Sequence, residues 1–254
     1  MTQNRSSAVM AQRIEPHDSL DDFPTQPWAT RALCEHVLFR VGRPEFNPAC
    51  ADTICYRLGL GDPIAPEGAL VPPAFPVPGL SVWEPACNRG HMSRPLAEYF
   101  GIVRSSDIHD YGVPPDTNGC PFLYDFLFPG QSPIVNPTWI TTNPPFRLAE
   151  QFIARALDIA RHGVAVIVRT SFLESVGRYE ALFSKTPPSV IAQFSERVPM
   201  VKGRLTATGS TATAYCWVVW FREHSAFNRS TRFIWIPPCR KQLERPGDYP
   251  EEAK

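Results

Sequence analysis

The stretch "RLAEQFIARALDIARHGVAVIVRTSFL", residues 147–173, does most to restrict the fold. Leu148, Phe152, Ile153, Ala156, Leu157 and Ala160 recur at the spacing of an amphipathic helix, which Gly163 is expected to close. The run "VAVIVRTSFL" then reads as the cleanest buried strand in the chain. Upstream, "GLSVWEPACNRGHMSRPLAEYFG" reads as a strand, a break at Glu84-Pro85, and a helix through Met92, Leu96 and Phe100. "IVRSSDI" is a strand ending at Asp107, and "SPIVNPTWITTNPPF" is a strand with its terminal loop. Downstream, "GRYEALFSKT" is expected as a helix, with "PSVIAQFSER" and "ATAYCWVVWF" as strands. Strands alternating with helices predict an α/β fold: a mostly parallel central sheet with helices on both faces.

The flanks differ from this pattern. Residues 1–20 are polar and aperiodic and read as a flexible tail, whereas "PWATRALCEHVLFR" has helical spacing with Pro27 in its first turn. Many of the 28 prolines fall in 44–85 and 114–145, which excludes long helices there. Residues 41–80 read as a Pro/Gly-rich insertion with one short helix near 52–58. The expected organisation is a single domain over 21–238, followed by a polar tail over 239–254. Twenty-five Lys and Arg balance twenty-five Asp and Glu, so any nucleic-acid contact must come from a local patch. The seven cysteines form no C-x-x-C pair and read as reduced thiols, not as metal ligands. The N-terminus lacks the apolar core of about 7 to 15 residues that a signal peptide carries, and no run approaches the roughly 20 residues of a membrane span. A cytoplasmic location is the expectation.

Ligands of an open α/β sheet bind beyond the carboxyl ends of its strands. Three such ends carry polar groups: Glu84, Asp107 and Asn143. "EPACNRGHM" joins a strand to a helix, with Gly90 permitting close approach to a ligand and Glu84 a candidate acceptor for a ligand amine or a held water. Asp107 follows Glu84 by 23 residues, near the spacing at which an acid meets ribose hydroxyls. The phosphate-cradling patterns G-x-G-x-x-G and G-x-x-x-x-G-K-[ST] are absent, which favours an adenosine ligand without phosphates. In "TTNPPF" the proline pair lacks two N–H groups and is stiff, so the Asn143 side-chain oxygen and the Pro144 carbonyl can accept both hydrogens of one exocyclic amine. Phe146 offers a stacking face for a planar base.

These motifs, taken in order with Asp125, resemble class I S-adenosylmethionine-dependent methyltransferases of the amino-methylating kind, and within them phage- and prophage-type DNA N6-adenine methyltransferases. "DDFPTQPWATRAL" resembles their N-terminal cofactor motif, and "RTSFLESVGRYEALF", "SERVPM" and "GSTATAYCWVVWF" their distal half, which implies a Rossmann-like fold ending in a C-terminal antiparallel hairpin strand. The resemblance implies S-adenosylmethionine as cofactor. It places Phe23, Pro24 and Thr25 beside the methionine end, Glu84, Pro85, Ala86 and Gly90 in the cofactor loop, Asp107 on the ribose and Asp125 near the adenine. It implies that Asn143, Pro144, Pro145 and Phe146 form the target-amine site. Where relatives commonly have the first glycine of the loop, this chain has Asn88, a residue that tolerates positive φ better than most.

The implied reaction is direct methyl transfer to the N6 amine of adenine in DNA. A duplex substrate would present that adenine flipped out. Arg147, Lys202 and Arg204 are candidate phosphate contacts, the last two within the basic, hydroxyl-rich "RVPMVKGRLTATGST". Two alternatives stay open from sequence: an RNA or protein-glutamine amino-methyltransferase, and a noncatalytic nucleic-acid-binding protein that keeps the fold.

Overall fold

The chain builds an eight-stranded sheet of order β3-β2-β1-β4-β5-β7-β6-β8, seen in a computed structural model that describes residues 21–39, 75–117, 119–208, 211–222 and 230–249. The strands are β1 (Val77–Glu84), β2 (Phe100–Asp107), β3 (Phe122–Leu123), β4 (Trp139–Thr142), β5 (Gly163–Arg169), β6 (Val190–Phe194), β7 (Tyr215–Phe221) and β8 (Arg232–Ile236). Readings for residues 1–20 and for most of the expected insertion, including its short helix, lie outside the described residues.

Pairing is parallel from β3 across to β5, and β7 runs antiparallel between β5 and β6. This is the mostly parallel, Rossmann-like α/β sheet that the sequence predicts, and β7 supplies the antiparallel hairpin strand that the resemblance implies. Strands β5 and β7 are apolar without alternation because both faces are covered, whereas β6 and the edge strand β8 alternate in burial. Along β5, Ala165 and Ile167 join one apolar cluster while Val164, Val166 and Val168 join the other. The first cluster is closed by α1 (Pro27–Leu33), which continues into a wider π-helical turn over Cys34–Leu38, and by the short α2 (Ser93–Leu96). The second is closed by α3 (Ala149–Ile159) through Phe152, Ile153 and Ala156. Among the buried tryptophans, Trp83 donates its N–H to Ser106 Oγ at 2.9 Å and Trp217 to the Ala29 carbonyl at 3.0 Å, whereas the Trp28 N–H is buried without a partner among the described residues.

Four sequence expectations change. Phe100 does not extend the second helix, which ends at Leu96; it opens β2 in register with Val77, because β1 starts at Val77, inside the expected insertion. Gly163 does not cap α3, whose chain turns extended at Ala160. It starts β5, where a Cβ would lie 2.5 Å from the Trp139 ring and 2.6 Å from the Trp220 carbonyl. The strand stops at Arg169, and "TSFL" forms a 3₁₀ turn (Thr170–Leu173), followed by α4 (Val176–Arg178), which widens into a π-helical turn over Tyr179–Phe183.

The fourth concerns the C-terminus. β8 adds an edge strand parallel to β6, and α5 (Arg240–Leu243) follows it. Residues 239–249 are therefore part of the domain rather than a polar tail. Buried Cys239 and Leu243 join the first cluster, and Arg31 on α1 donates to Asp248 and to the Leu243 carbonyl, both at 2.7 Å. Among the described residues no helix is long and apolar enough to cross a membrane.

Candidate active site

The chain reverses its direction of growth across the sheet between β1 and β4, and the carboxyl ends of these neighbouring strands mark the switch point where open α/β sheets bind ligands. A cleft of about 540 Å³ opens there. Of the residues singled out from sequence, Phe23, Pro24, Thr25, Glu84, Pro85, Ala86, Asp107, Asp125, Asn143, Pro145 and Arg147 line it. Gly90, Pro144, Phe146, Lys202 and Arg204 do not. Chain segments far apart in sequence thus meet at one place, as the ordered motifs imply.

Glu84 ends β1 and is only 2% exposed. Burial holds its carboxyl well above the usual carboxylate range; the Ser93 hydroxyl, which donates to it, pulls the other way, and the charge of Asp107 adds to the rise. Asp107 ends β2, and burial raises its pKa also, offset by backbone N–H groups of His109 at 3.0 Å and Asn88 at 2.9 Å. Two acids are therefore held in one cleft, a surrounding that favours a ligand carrying positive charge and hydroxyl donors. Between them the loop turns through left-handed backbone at Asn88 (φ 52°) and Gly90 (φ 76°). Asn88 thus occupies the glycine-like position without losing the turn.

Asn143 lies just past β4. Its Nδ2 donates to the Phe23 carbonyl at 2.8 Å and sits 3.9 Å from Met200 Sδ, which fixes the amide so that Oδ1 is the free end. That Oδ1 is buried without a partner, as is Thr25 Oγ1 in the same cleft. A buried acceptor left unpaired costs about 1 to 3 kcal/mol, a cost that a hydrogen-bond donor reaching Oδ1 would offset. Pro144, the next residue, is buried.

Phe146 is half-buried with both neighbours aromatic or cationic. The Phe23 ring lies 5.2 Å away, tilted by 40°, and the Arg169 guanidinium lies 4.1 Å above the Phe146 ring. The positive charge of Arg169 also acts on the Tyr215 hydroxyl, opposing the larger rise that burial gives its pKa. The Phe146 face is therefore covered by a cation in this state.

Sequence reasoning passed over part of the cleft. Ile108, 70% exposed, and Tyr124, Phe126 and Leu127 supply apolar walls around Asp125. His91 lines it too, its pKa lowered to about 4 by burial and by the charges of Arg94 and Arg89, so its ring is neutral at pH 7. An exposed isoleucine directly after a strand-ending acid was the available signal for this wall. The basic loop expected to be flexible is docked instead: Gly203 N–H donates to the Asp22 carbonyl at 2.8 Å, and Gln26 Nε2 donates to the Pro199 carbonyl at 2.5 Å. Lys202 and Arg204 sit in the tight turn Val201–Arg204, away from the cleft lining. Among the described residues no group of three or more His, Cys, Asp or Glu side chains is placed to hold a metal ion.

No family model and no curated protein matches this sequence. Several solved structures share the fold. A Listeria monocytogenes protein, provisionally described as a class I S-adenosylmethionine-dependent methyltransferase, aligns at 9% identity and TM-score 0.44 over 61% of this chain and 58% of that one. The 23S rRNA methyltransferase ErmE aligns at 19% and 0.41 over 59% and 64%. The N-methyltransferase NodS from Bradyrhizobium japonicum aligns at 12% and 0.35 over 56% and 84%. The chain thus spans less than two thirds of the length of the first two. At these identities and TM-scores the likenesses carry no argument, and the Rossmann-like α/β architecture rests on the strand order and the antiparallel β7.

Proposed function

We propose that the protein is an S-adenosylmethionine-dependent N-methyltransferase that acts on the exocyclic N6 amine of adenine in DNA. The observation that carries this reading is the unpaired, buried Asn143 Oδ1 in the same cleft as Glu84 and Asp107. An enzyme for amine methylation needs a fixed acceptor for the amine hydrogens next to a pocket for a cationic nucleoside, and those two features share this cleft.

The residues fit the cofactor. Asp107 would accept the ribose hydroxyls, Ile108, Asp125, Phe126 and Leu127 would surround the adenine, and Glu84 with Phe23, Pro24 and Thr25 would hold the methionine end. Pro85, Ala86 and Gly90 shape the loop between them. When bound, S-adenosylmethionine supplies an electrophilic methyl group on a sulfonium. Asn143 Oδ1 and the Pro144 carbonyl accept the two amine hydrogens, which draws electron density onto nitrogen and aims its lone pair. No strong base would be required before transfer: the N–C bond would form as the S–C bond breaks, leaving a neutral thioether, and the extra amine proton would then pass to solvent. Most of the rate gain comes from holding amine and methyl in line. Phe146 stacks the base, with Pro145 stiffening the loop, and Arg147 at the mouth of the cleft meets a phosphate. A duplex substrate enters with its adenine flipped out.

The test is transfer of labelled methyl from the cofactor to unmethylated DNA, to RNA and to protein in parallel, followed by identification of the labelled nucleoside or side chain. Label on N6-methyladenine of DNA is expected. Clear labelling of RNA or of protein glutamine with none in DNA adenine would overturn the substrate, and absence of cofactor binding by calorimetry would overturn the enzyme.

A further inference from the structure

Three consecutive residues at the start of the described chain each hold a different part of the cleft. The Asp21 carboxylate accepts the Phe146 backbone N–H at 2.7 Å. The Asp22 carboxylate accepts Asn88 Nδ2 at 2.5 Å and Arg89 Nη1 at 3.0 and 3.2 Å. The Phe23 carbonyl accepts Asn143 Nδ2 at 2.8 Å. Asp22 is 8% exposed, and its own carbonyl is held by Gly203, so the middle residue is anchored from both sides.

We infer that Asp21-Asp22-Phe23 is a clasp through which the loop after β1 sets the geometry of the Asn143–Phe146 site, with Asn88 and Asp22 as positioning residues. Naming the two ends as cofactor loop and amine site rests on the function proposed above. The coupling itself does not.

Asn88 is the informative residue. At φ 52° a glycine would satisfy the backbone at least as well. The asparagine adds what glycine lacks: Nδ2 reaches Asp22, while Oδ1 accepts the Arg89 N–H at 2.6 Å and Arg89 Nη1 at 3.1 Å. Arg89 in turn lies 4.9 Å above the Tyr111 ring at the cleft wall. The loop is thereby tied to Asp22. Because Asp21 and Phe23 flank Asp22 with successive Cα atoms about 3.8 Å apart, a shift at Asp22 must be felt at Phe146 N–H and at the Asn143 amide.

The coupling has a direct reporter in the ligand-free protein, since the Phe146 amide hydrogen is the one that Asp21 holds. Hydrogen exchange resolved to single amides should show Phe146 exchanging about tenfold faster or more in both Asn88→Gly and Asp22→Ala. The amides of Val164–Val168 in β5 should keep their wild-type rates. The double variant should exchange no faster than the more affected single variant, because both changes break one connection. Unchanged exchange at Phe146 in the single variants would overturn the clasp, and so would an equal acceleration in β5, which signals general loosening. In methyl-transfer assays the same Asn88→Gly protein should lose about tenfold or more in turnover at saturating cofactor, since misplacement of about 1 Å costs on that scale. Full turnover would overturn the positioning role. If wild-type protein fails to bind S-adenosylhomocysteine while the exchange pattern holds, the proposed cofactor is wrong and the clasp stands.

Discussion

Asn143 Nδ2 lies 2.8 Å from the Phe23 carbonyl, and this one bond decides which end of the amide faces a ligand. With Nδ2 occupied, Oδ1 is left as a buried acceptor without a partner. Asn143→Ala removes the acceptor and should lower single-turnover methyl transfer by about 10² to 10³-fold, the usual cost of deleting one oriented hydrogen-bond partner. Cofactor affinity measured by calorimetry should stay within about threefold, a change of less than 1 kcal/mol. Equal loss of both would contradict the assignment of Oδ1 to the amine. Asn143→Asp retains an acceptor but sets a carboxylate against the Phe23 carbonyl, so it should be as inactive as the alanine variant.

Glu84 makes cofactor binding dependent on pH. Burial raises its carboxyl well above the usual range in the ligand-free cleft. A cationic ligand beside it favours the carboxylate and lowers that pKa, so binding must release protons. Affinity should therefore rise with pH up to the pKa of Glu84 in the free protein and level off above it. Calorimetry in two buffers of different ionisation heat measures the released proton directly; net uptake would contradict the role. The stability of the ligand-free protein runs the other way. A folded pKa raised above the unfolded value of about 4.3 gives stability that is present below it and lost as pH climbs through the folded value. Glu84→Gln should abolish that loss and weaken cofactor binding together.

Arg169 occupies the Phe146 face on which a base would stack, 4.1 Å from the ring. It must move when a base arrives, and an exposed arginine so displaced is free to meet a phosphate. Arg169→Ala should therefore weaken binding of a single-stranded adenine-containing oligonucleotide and reduce the slope of log affinity against log salt by about 0.7. Arg169→Lys should keep the salt slope but lose the planar stacking contact. An unchanged slope in the alanine variant would show that Arg169 only packs Phe146.

How much of this was legible before the structure varies by residue. The strands β1, β4 and β5 announce themselves because they are buried on both faces, and sheet topology then dictates that Glu84 and Asn143 end side by side. Asp21 and Asp22 were only part of a motif quoted for Phe23, because nothing local says that a carboxylate will meet an amide 66 residues away at Asn88 or an N–H 125 residues away at Phe146. Gly163 misled because glycine both caps helices and admits a tryptophan ring, and only the packing of Trp139 separates these uses. Arg240, Lys241, Glu244 and Arg245 made residues 239–254 look like solvated tail. The residues that dock it, Cys239 and Leu243, are too few to show a period.

That docked end carries the last prediction. Arg31, 3% exposed on α1, pairs with Glu98 at 2.7 Å, with Asp248 at 2.7 and 2.8 Å, and with the Leu243 carbonyl at 2.7 Å. Removing the cation leaves the largely buried Asp248 carboxylate without its ion-pair partner, while Glu98 keeps Arg245, so Arg31→Met should cost about 3 kcal/mol in urea denaturation at pH 7. Asp248 provides the pH signature. Burial raises its pKa, but the Arg31 hydrogen bond and charge outweigh this and hold it below the ordinary value. A depressed folded pKa gives stability present above the unfolded value of about 3.9, lost as pH falls through the folded one. Wild type should therefore lose its advantage over Asp248→Asn as pH drops below about 4. A truncation after Pro238 should behave like Arg31→Met, because it leaves Arg31 without Asp248 and the Leu243 carbonyl. If truncation leaves the urea midpoint unmoved, residues 239–249 are not part of the cooperative domain.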